Sequence, residues 1–223
     1  MPEIMITGPA GRLEGRYKHS KVPRAPIALI LHPNPQRGGT MNNKISYSLF
    51  QSFAEQGFST LRFNFRGVGR SQGEFAYGEG ELSDAAAALD WLQNVNPGAS
   101  NVWVGGFSFG AWIGMQLLMR RPEIHGYVSI SPPANIYDFN FLAPCPNEGL
   151  IVQGDKDQVV NIESVNKLVD KLKDQRGQTG VDYRVIPGAG HFFNNAGETE
   201  LMVKHVTEYL TQVNAVEKEK AAA

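Results

Sequence analysis

Residues 101–112 read NVWVGGFSFGAW, and Ser108 stands between Gly106 and Gly110 in a G-x-S-x-G pattern. An apolar run ends there and a helical pattern begins. Glycine loses more backbone freedom on folding than any other residue, so it is costly inside a helix or strand. Gly105, Gly106 and Gly110 within six residues therefore point to a tight local geometry. A sharp strand-to-helix turn would hold Ser108 in a strained backbone conformation and project its Oγ beyond the strand end. Side chains two residues to either side would crowd that turn. The helix behind it offers unpaired N–H groups and a positive dipole end to developing negative charge.

The flanking segments alternate between strand and helix patterns. Residues 3–7 and 12–18 read as strands joined through TGPAG, a hairpin. PIALILHP (26–33) is a continuous apolar run that fits a strand buried on both faces. Residues 43–56 carry Ile45, Leu49 and Phe53 at helical spacing and stop at Gly57. STLRFNF (59–65) is the next strand, and Leu82, Ala85, Leu89 and Leu92 mark one face of the following helix. The helix over 109–120 ends before Pro122, because the residue preceding proline is driven out of helical space. Strands follow at 126–131, 149–154 and 181–187, with helices over 162–173 and through Met202, Val206 and Leu210. This alternation predicts an α/β fold with a mostly parallel eight-stranded sheet, helices on both faces and an N-terminal antiparallel hairpin. One domain over 1–213 and a solvated tail over 214–223 are expected.

Composition narrows the function classes. A formal charge of −1 gives no broad attraction to nucleic acid or an anionic membrane. Cys145 is the single cysteine, so neither an internal disulfide nor a cysteine-based metal site can form. The start lacks a basic segment followed by an apolar one, and no run approaches 18 apolar residues. A cytoplasmic globular protein acting on a small molecule, without cofactor or metal, is expected. Nothing in the sequence selects between a monomer and a homodimer.

In open parallel sheets, ligands sit at the carboxyl ends of strands. A serine hydroxyl needs a base there, and the base needs an orienting acid. GDKDQVV supplies Asp155 and Asp157 after the strand at 149–154, and GAGHFF supplies His191 after the strand ending at 187. Asp157 is favoured as the acid because it lies further into its loop, whereas Asp155 reads as a turn-ordering residue. His32 opens HPNPQRGGT, in which Asn34 alone of residues 33–35 keeps a backbone N–H. The N–H groups of Asn34 and Phe109 therefore suit an oxyanion hole. His32 itself reads as structural, and His19, His125 and His205 as surface or packing residues.

With GFSFG, GDKDQVV and GAGHFF in that order, the chain resembles an α/β-hydrolase. It is most similar to the small, lidless bacterial group allied to dienelactone hydrolases and carboxylesterases. LRFNFRGVGRSQGEF and LILHPNPQRGGTMNNK carry the same resemblance, which spans about residues 4–212. It implies Ser108 as nucleophile, His191 as general base, Asp157 as orienting acid, and Phe109 and Asn34 as oxyanion donors. Many members carry His-Gly where this chain has His32-Pro33. The 17 residues over 132–148 are too few for the helical lid of lipases.

The expected activity is hydrolysis of small carboxylic esters through an acyl-enzyme. Thioesterase and lactonase or dienelactone-type activities would use the same residues, and an inactive binding protein on this scaffold is the remote alternative. Phe107, Trp112, Tyr137, Phe139 and Phe192 are candidate pocket residues, with core packing claiming many nearby aromatics. They favour short or medium acyl esters over charged or polymeric substrates. GVGRSQG is a near-miss for a pyrophosphate loop, but no helix starts directly after it.

Overall fold

The computed structural model describes residues 3–142, 145, 147–176 and 180–222. β1 (Glu3–Gly8) and β2 (Gly11–Lys18) form the expected hairpin. Gly11, at φ 121°, takes the backbone conformation that closes it without a Cβ penalty. There follow β3 (Ile27–Leu31), α1 (Lys44–Glu55), β4 (Ser59–Phe63), α2 (Glu79–Asn94), β5 (Val102–Phe107) and α3 (Phe109–Arg120). β6 (Ile124–Ile130), β7 (Glu148–Gly154), α4 (Ile162–Arg176), β8 (Val181–Ile186) and α5 (Ala196–Ala222) complete the chain. The strands lie in the order β1-β2-β4-β3-β5-β6-β7-β8. β2 pairs antiparallel with both β1 and β4, and the remaining pairs are parallel.

β3 shows why the central strands read as unbroken apolar runs. All five of its residues are buried, but they serve two cores. Ile27, Leu29 and Leu31 pack with side chains of α2, α3 and α4. Ala28 and Ile30 pack with α1 and α5. On a sheet covered on both faces, side chains that alternate between two cores make such a strand apolar at every position.

α1 begins at Asn43, whose side-chain oxygen accepts the N–H groups of Ile45 and Ser46. α5 continues as helix to Ala222, through the segment that reads as a tail in the sequence. Glu, Lys and Ala are strong helix formers, so EKEKAA (217–222) extends a helix already nucleated against the core. Only 17 residues (131–147) separate β6 from β7, and their described part contains a single 3-10 turn, Asn140–Leu142. Among the described residues no helix is long and apolar enough to cross a membrane.

Candidate active site

Ser108 lies between β5 and α3 at φ 53° and ψ −119°. Such a backbone costs a non-glycine residue on the order of 1–3 kcal/mol and persists only where its surroundings enforce it. Here the enforcement is visible. The Ser108 N–H donates to the carbonyl of Ile130 at 2.9 Å, and its own carbonyl accepts from Ala111 and Trp112 in α3. A Cβ at Gly106 would lie 2.4 Å from the Gly110 carbonyl oxygen, and one at Gly110 would lie 2.3 Å from that of Leu31. Both glycines are therefore required by backbone-to-backbone approach.

Three side chains meet at the carboxyl ends of the strands. Ser108 Oγ is 3.1 Å from His191 Nε2, and His191 Nδ1 is 2.8 Å from Asp157 Oδ2. With the Nδ1 proton donated to the carboxylate, Nε2 is free to accept the hydroxyl proton. The other carboxylate oxygen of Asp157 accepts the N–H groups of Val159 and Val160, each at 2.8 Å. Burial alone would raise the Asp157 carboxyl. The bonds from His191, Val160 and Val159 outweigh it and hold the group below its ordinary value, so it stays ionised. Asp155 stands apart from this line. Its Oδ1 accepts the Gly188 N–H at 2.6 Å and ties the β7 turn to the β8 turn.

Asn34 precedes a 3-10 turn over Pro35–Arg37, and its side chain accepts the Gln36 N–H at 2.8 Å. Among the described residues no protein acceptor takes the backbone N–H of Asn34 or of Phe109. A cleft of about 240 Å³ opens over Ser108 and His191, and Asn34, Phe109, Tyr137 and Phe192 are among the residues that line it. A larger hollow of about 610 Å³ runs along α5, but it touches none of these groups. Chemistry, not size, locates the site.

A family model described as X-Pro dipeptidyl-peptidase (S15 family) matches residues 17–150, and one described as prolyl oligopeptidase family matches 122–216. A crystal structure from Agrobacterium tumefaciens, of a protein of unknown function described as a putative α/β hydrolase, is 59% identical with a TM-score of 0.92. It covers 96% of this chain and 97% of that one. The chain belongs to the α/β-hydrolase superfamily. An uncharacterized protein of Rickettsia prowazekii is 51% identical over 96% of this chain and 91% of its own length. A Xanthomonas campestris structure described as an α/β serine hydrolase without lid is 27% identical with a TM-score of 0.84. It covers 95% of this chain and 94% of that one.

Within this α/β-hydrolase, two of the five candidate pocket aromatics line the cleft, Tyr137 and Phe192. The other three expectations are corrected. Phe107 ends β5 with its side chain directed into the core beneath α1 and α5, and its ring backs the His191 imidazole at 5.0 Å. Trp112 stacks on the far side of Tyr137, with centroids 4.2 Å apart and planes 12° from parallel. Phe139 is buried against Phe141 and borders a neighbouring hollow with α4. Sequence proximity to an active loop does not settle direction. That depends on the face of the strand and the path of the loop.

Gln153 is a residue that the sequence reading passed over. Fully buried on β7, it donates through Nε2 to Asp157 Oδ2 at 3.0 Å and to the Val160 carbonyl at 3.1 Å. A glutamine inside the apolar run GLIVQG was the available signal. The near-miss glycine loop offers no phosphate site. α2 starts at Glu79, and the Glu81 carboxylate already accepts the N–H groups of Ala76 and Gly78 at that helix end. Among the described residues no group of three His, Cys, Asp or Glu is placed to hold a metal ion.

His32 is structural, through one ring proton and one lone pair. Nδ1 is 2.7 Å from the Pro33 carbonyl and donates to it, while Nε2 accepts the Phe65 N–H at 3.0 Å. Burial lowers the imidazole to about 4, against the raising effect of the Pro33 bond. The folded state therefore binds fewer protons than the unfolded chain between pH 4 and the ordinary 6.5. Stability from the neutral ring is full above pH 6.5 and is lost as pH falls toward 4, by about 3 kcal/mol in all. In urea unfolding, the stability gap between wild type and His32→Gln is expected to narrow by about 2–3 kcal/mol from pH 7 to pH 4.5. A gap constant over that range contradicts a buried neutral imidazole.

Proposed function

We propose that the protein is a serine hydrolase that cleaves small carboxylic esters of short to medium acyl chain. Ser108 Oγ attacks the ester carbonyl carbon while His191 Nε2 takes the hydroxyl proton. The carbonyl oxygen becomes an oxyanion against the N–H groups of Phe109 and Asn34, each worth roughly 2.7–4 kcal/mol to the transition state. As the tetrahedral species collapses, His191 passes its proton to the leaving alcohol oxygen. Water then attacks the acyl-enzyme by the same route and releases the carboxylic acid. Asp157 holds the imidazole in the required tautomer throughout.

The observation that carries this reading is the hydrogen-bonded line from Ser108 through His191 to Asp157, opening into the cleft. Substrate size is argued from the cleft. Its volume of about 240 Å³ lies below the roughly 300–1,000 Å³ of sites for drug-sized ligands. Exposed Ile136 and Phe192 offer an apolar rim for an acyl chain.

A series of p-nitrophenyl esters differing only in acyl length tests it. Turnover is expected to peak between about two and eight carbons and to fall at least about tenfold by twelve, as chain overhangs the cleft. Activity that rises toward long chains contradicts the size argument. Thioesters cleaved while matched oxygen esters are spared would replace the proposed bond with its sulfur analogue.

A further inference from the structure

The turn that presents Asn34 to the cleft also carries Arg37. We infer that Arg37 gives the enzyme a preference for esters bearing a carboxylate elsewhere in the molecule. This rests on the ester-cleaving reading above and revises the expectation of uncharged substrates.

Four observations support it. First, among the described residues no aspartate or glutamate lines the cleft, and His191 is already engaged with Ser108 and Asp157. Among the described lining residues, Arg37 is the one that brings a permanent charge. Second, the arginines of β4 and of the loop that follows it are occupied. Arg62 donates to the Met41 carbonyl and Asn42, Arg66 grips Asp84 through two nitrogens, and Arg70 pairs with Glu3. Among the described residues no carboxylate pairs with Arg37, and its side chain is exposed at the cleft.

Third, the backbone beneath Arg37 is rigid. Its N–H donates to the Asn34 carbonyl at 3.1 Å, and the Gly39 N–H donates to the same oxygen at 3.0 Å. A Cβ at Gly39 would lie 2.0 Å from the Pro33 oxygen, so the turn is folded tightly on itself. The Cα of Arg37 is therefore held at a set position relative to the Asn34 N–H, and its side chain reaches the cleft from that fixed base. Fourth, its charge reaches into the lining. Burial raises the Tyr137 hydroxyl, and the Asn34 hydrogen bond and the Arg37 charge both oppose that rise.

A planar guanidinium matches a carboxylate with two parallel N–H donors, a fit that an ammonium cannot reproduce. With an apolar rim at Ile136 and Phe192, the cleft suits a small ester with an apolar body and one anionic end. Screening at an exposed site keeps the effect moderate.

The test uses two matched sets of esters. One compares monoesters of short dicarboxylic acids with their methyl-capped neutral counterparts, and the other places the carboxylate on the alcohol. In at least one set, wild-type kcat/KM is expected to be about tenfold higher for the anionic member, with the ratio falling as salt is raised. Arg37→Gln should bring that ratio close to one, and Arg37→Lys should restore part of it. Equal or lower turnover of the anionic member in both sets overturns the proposal, as does a preference that survives in Arg37→Gln. Wild type that cleaves neutral esters without charge preference defeats the Arg37 inference alone. Absence of all ester turnover defeats the underlying reading.

Discussion

Replacing Ser108 with alanine is expected to lower kcat for any accepted ester by roughly 10⁴–10⁶-fold while leaving the fold in place. The hydroxyl is the nucleophile in the proposed mechanism, and among the described residues no other side chain is bonded to His191 Nε2. The residual rate would come from the oxyanion donors and substrate binding, which the substitution leaves untouched. Stability should change by less than about 1 kcal/mol, because among the described residues Oγ bonds only to the imidazole and alanine inherits the same backbone strain as serine. The turn is held by the Ser108 N–H to Ile130 bond and the glycine contacts. Ester turnover, labelling by a fluorophosphonate probe and thermal unfolding together check this. A variant that unfolds at the wild-type temperature yet keeps turnover within tenfold assigns the chemistry elsewhere.

The second large effect separates two aspartates that lie two residues apart. Asp157→Asn is expected to cost about 10⁴ in kcat, since an amide facing Nδ1 favours the wrong imidazole tautomer. Asp155→Asn should change kcat by no more than about threefold, costing instead about 0.5–1.5 kcal/mol of stability at its Gly188 bond. Asp157 also predicts a stability signature. Its folded pKa is depressed below the ordinary 3.8, so its contribution is present above that value and is lost as pH falls through the folded one. The stability advantage of wild type over Asp157→Asn should therefore shrink below about pH 4. Equal kinetic losses in the two variants would contradict the hydrogen-bonded line as the working arrangement.

The fold was legible to a large degree because its signals are local. Buried parallel strands are mostly apolar on both faces, so IALIL and GLIVQG identify themselves. Amphipathic helices announce their packed face by spacing, and helix ends follow proline and glycine. Most ends differ by two or three residues, as where β6 begins at Ile124 rather than 126 and α4 reaches Arg176 rather than 173, but α5 runs on to Ala222 through the expected tail. The site was legible in its chemistry for a related reason. Serine, carboxylate and imidazole each follow a strand, and parallel strands bring their carboxyl ends to one edge.

Direction and exchange of partners were not legible. Phe107, Trp112 and Phe139 adjoin active segments in the chain, yet their rings back the site or lie outside it. Gln153 gives no periodic signal, because its partner Asp157 lies across a turn. Arg37 and Arg62 look alike as residues. One is exposed at the cleft, and the other is buried against backbone carbonyl and rings.

By itself, then, the sequence determined which segments are strands and helices, that the sheet is parallel after a hairpin, and which three reactive groups stand at strand ends. Each of those follows from short-range sterics and burial within one segment. Only the tertiary structure decided that the hairpin lies against β4, that Asp157 rather than Asp155 meets His191, and which aromatic rings face the cleft. Those outcomes depend on distances between segments far apart in the chain, where a shift of one residue turns a side chain to the opposite face.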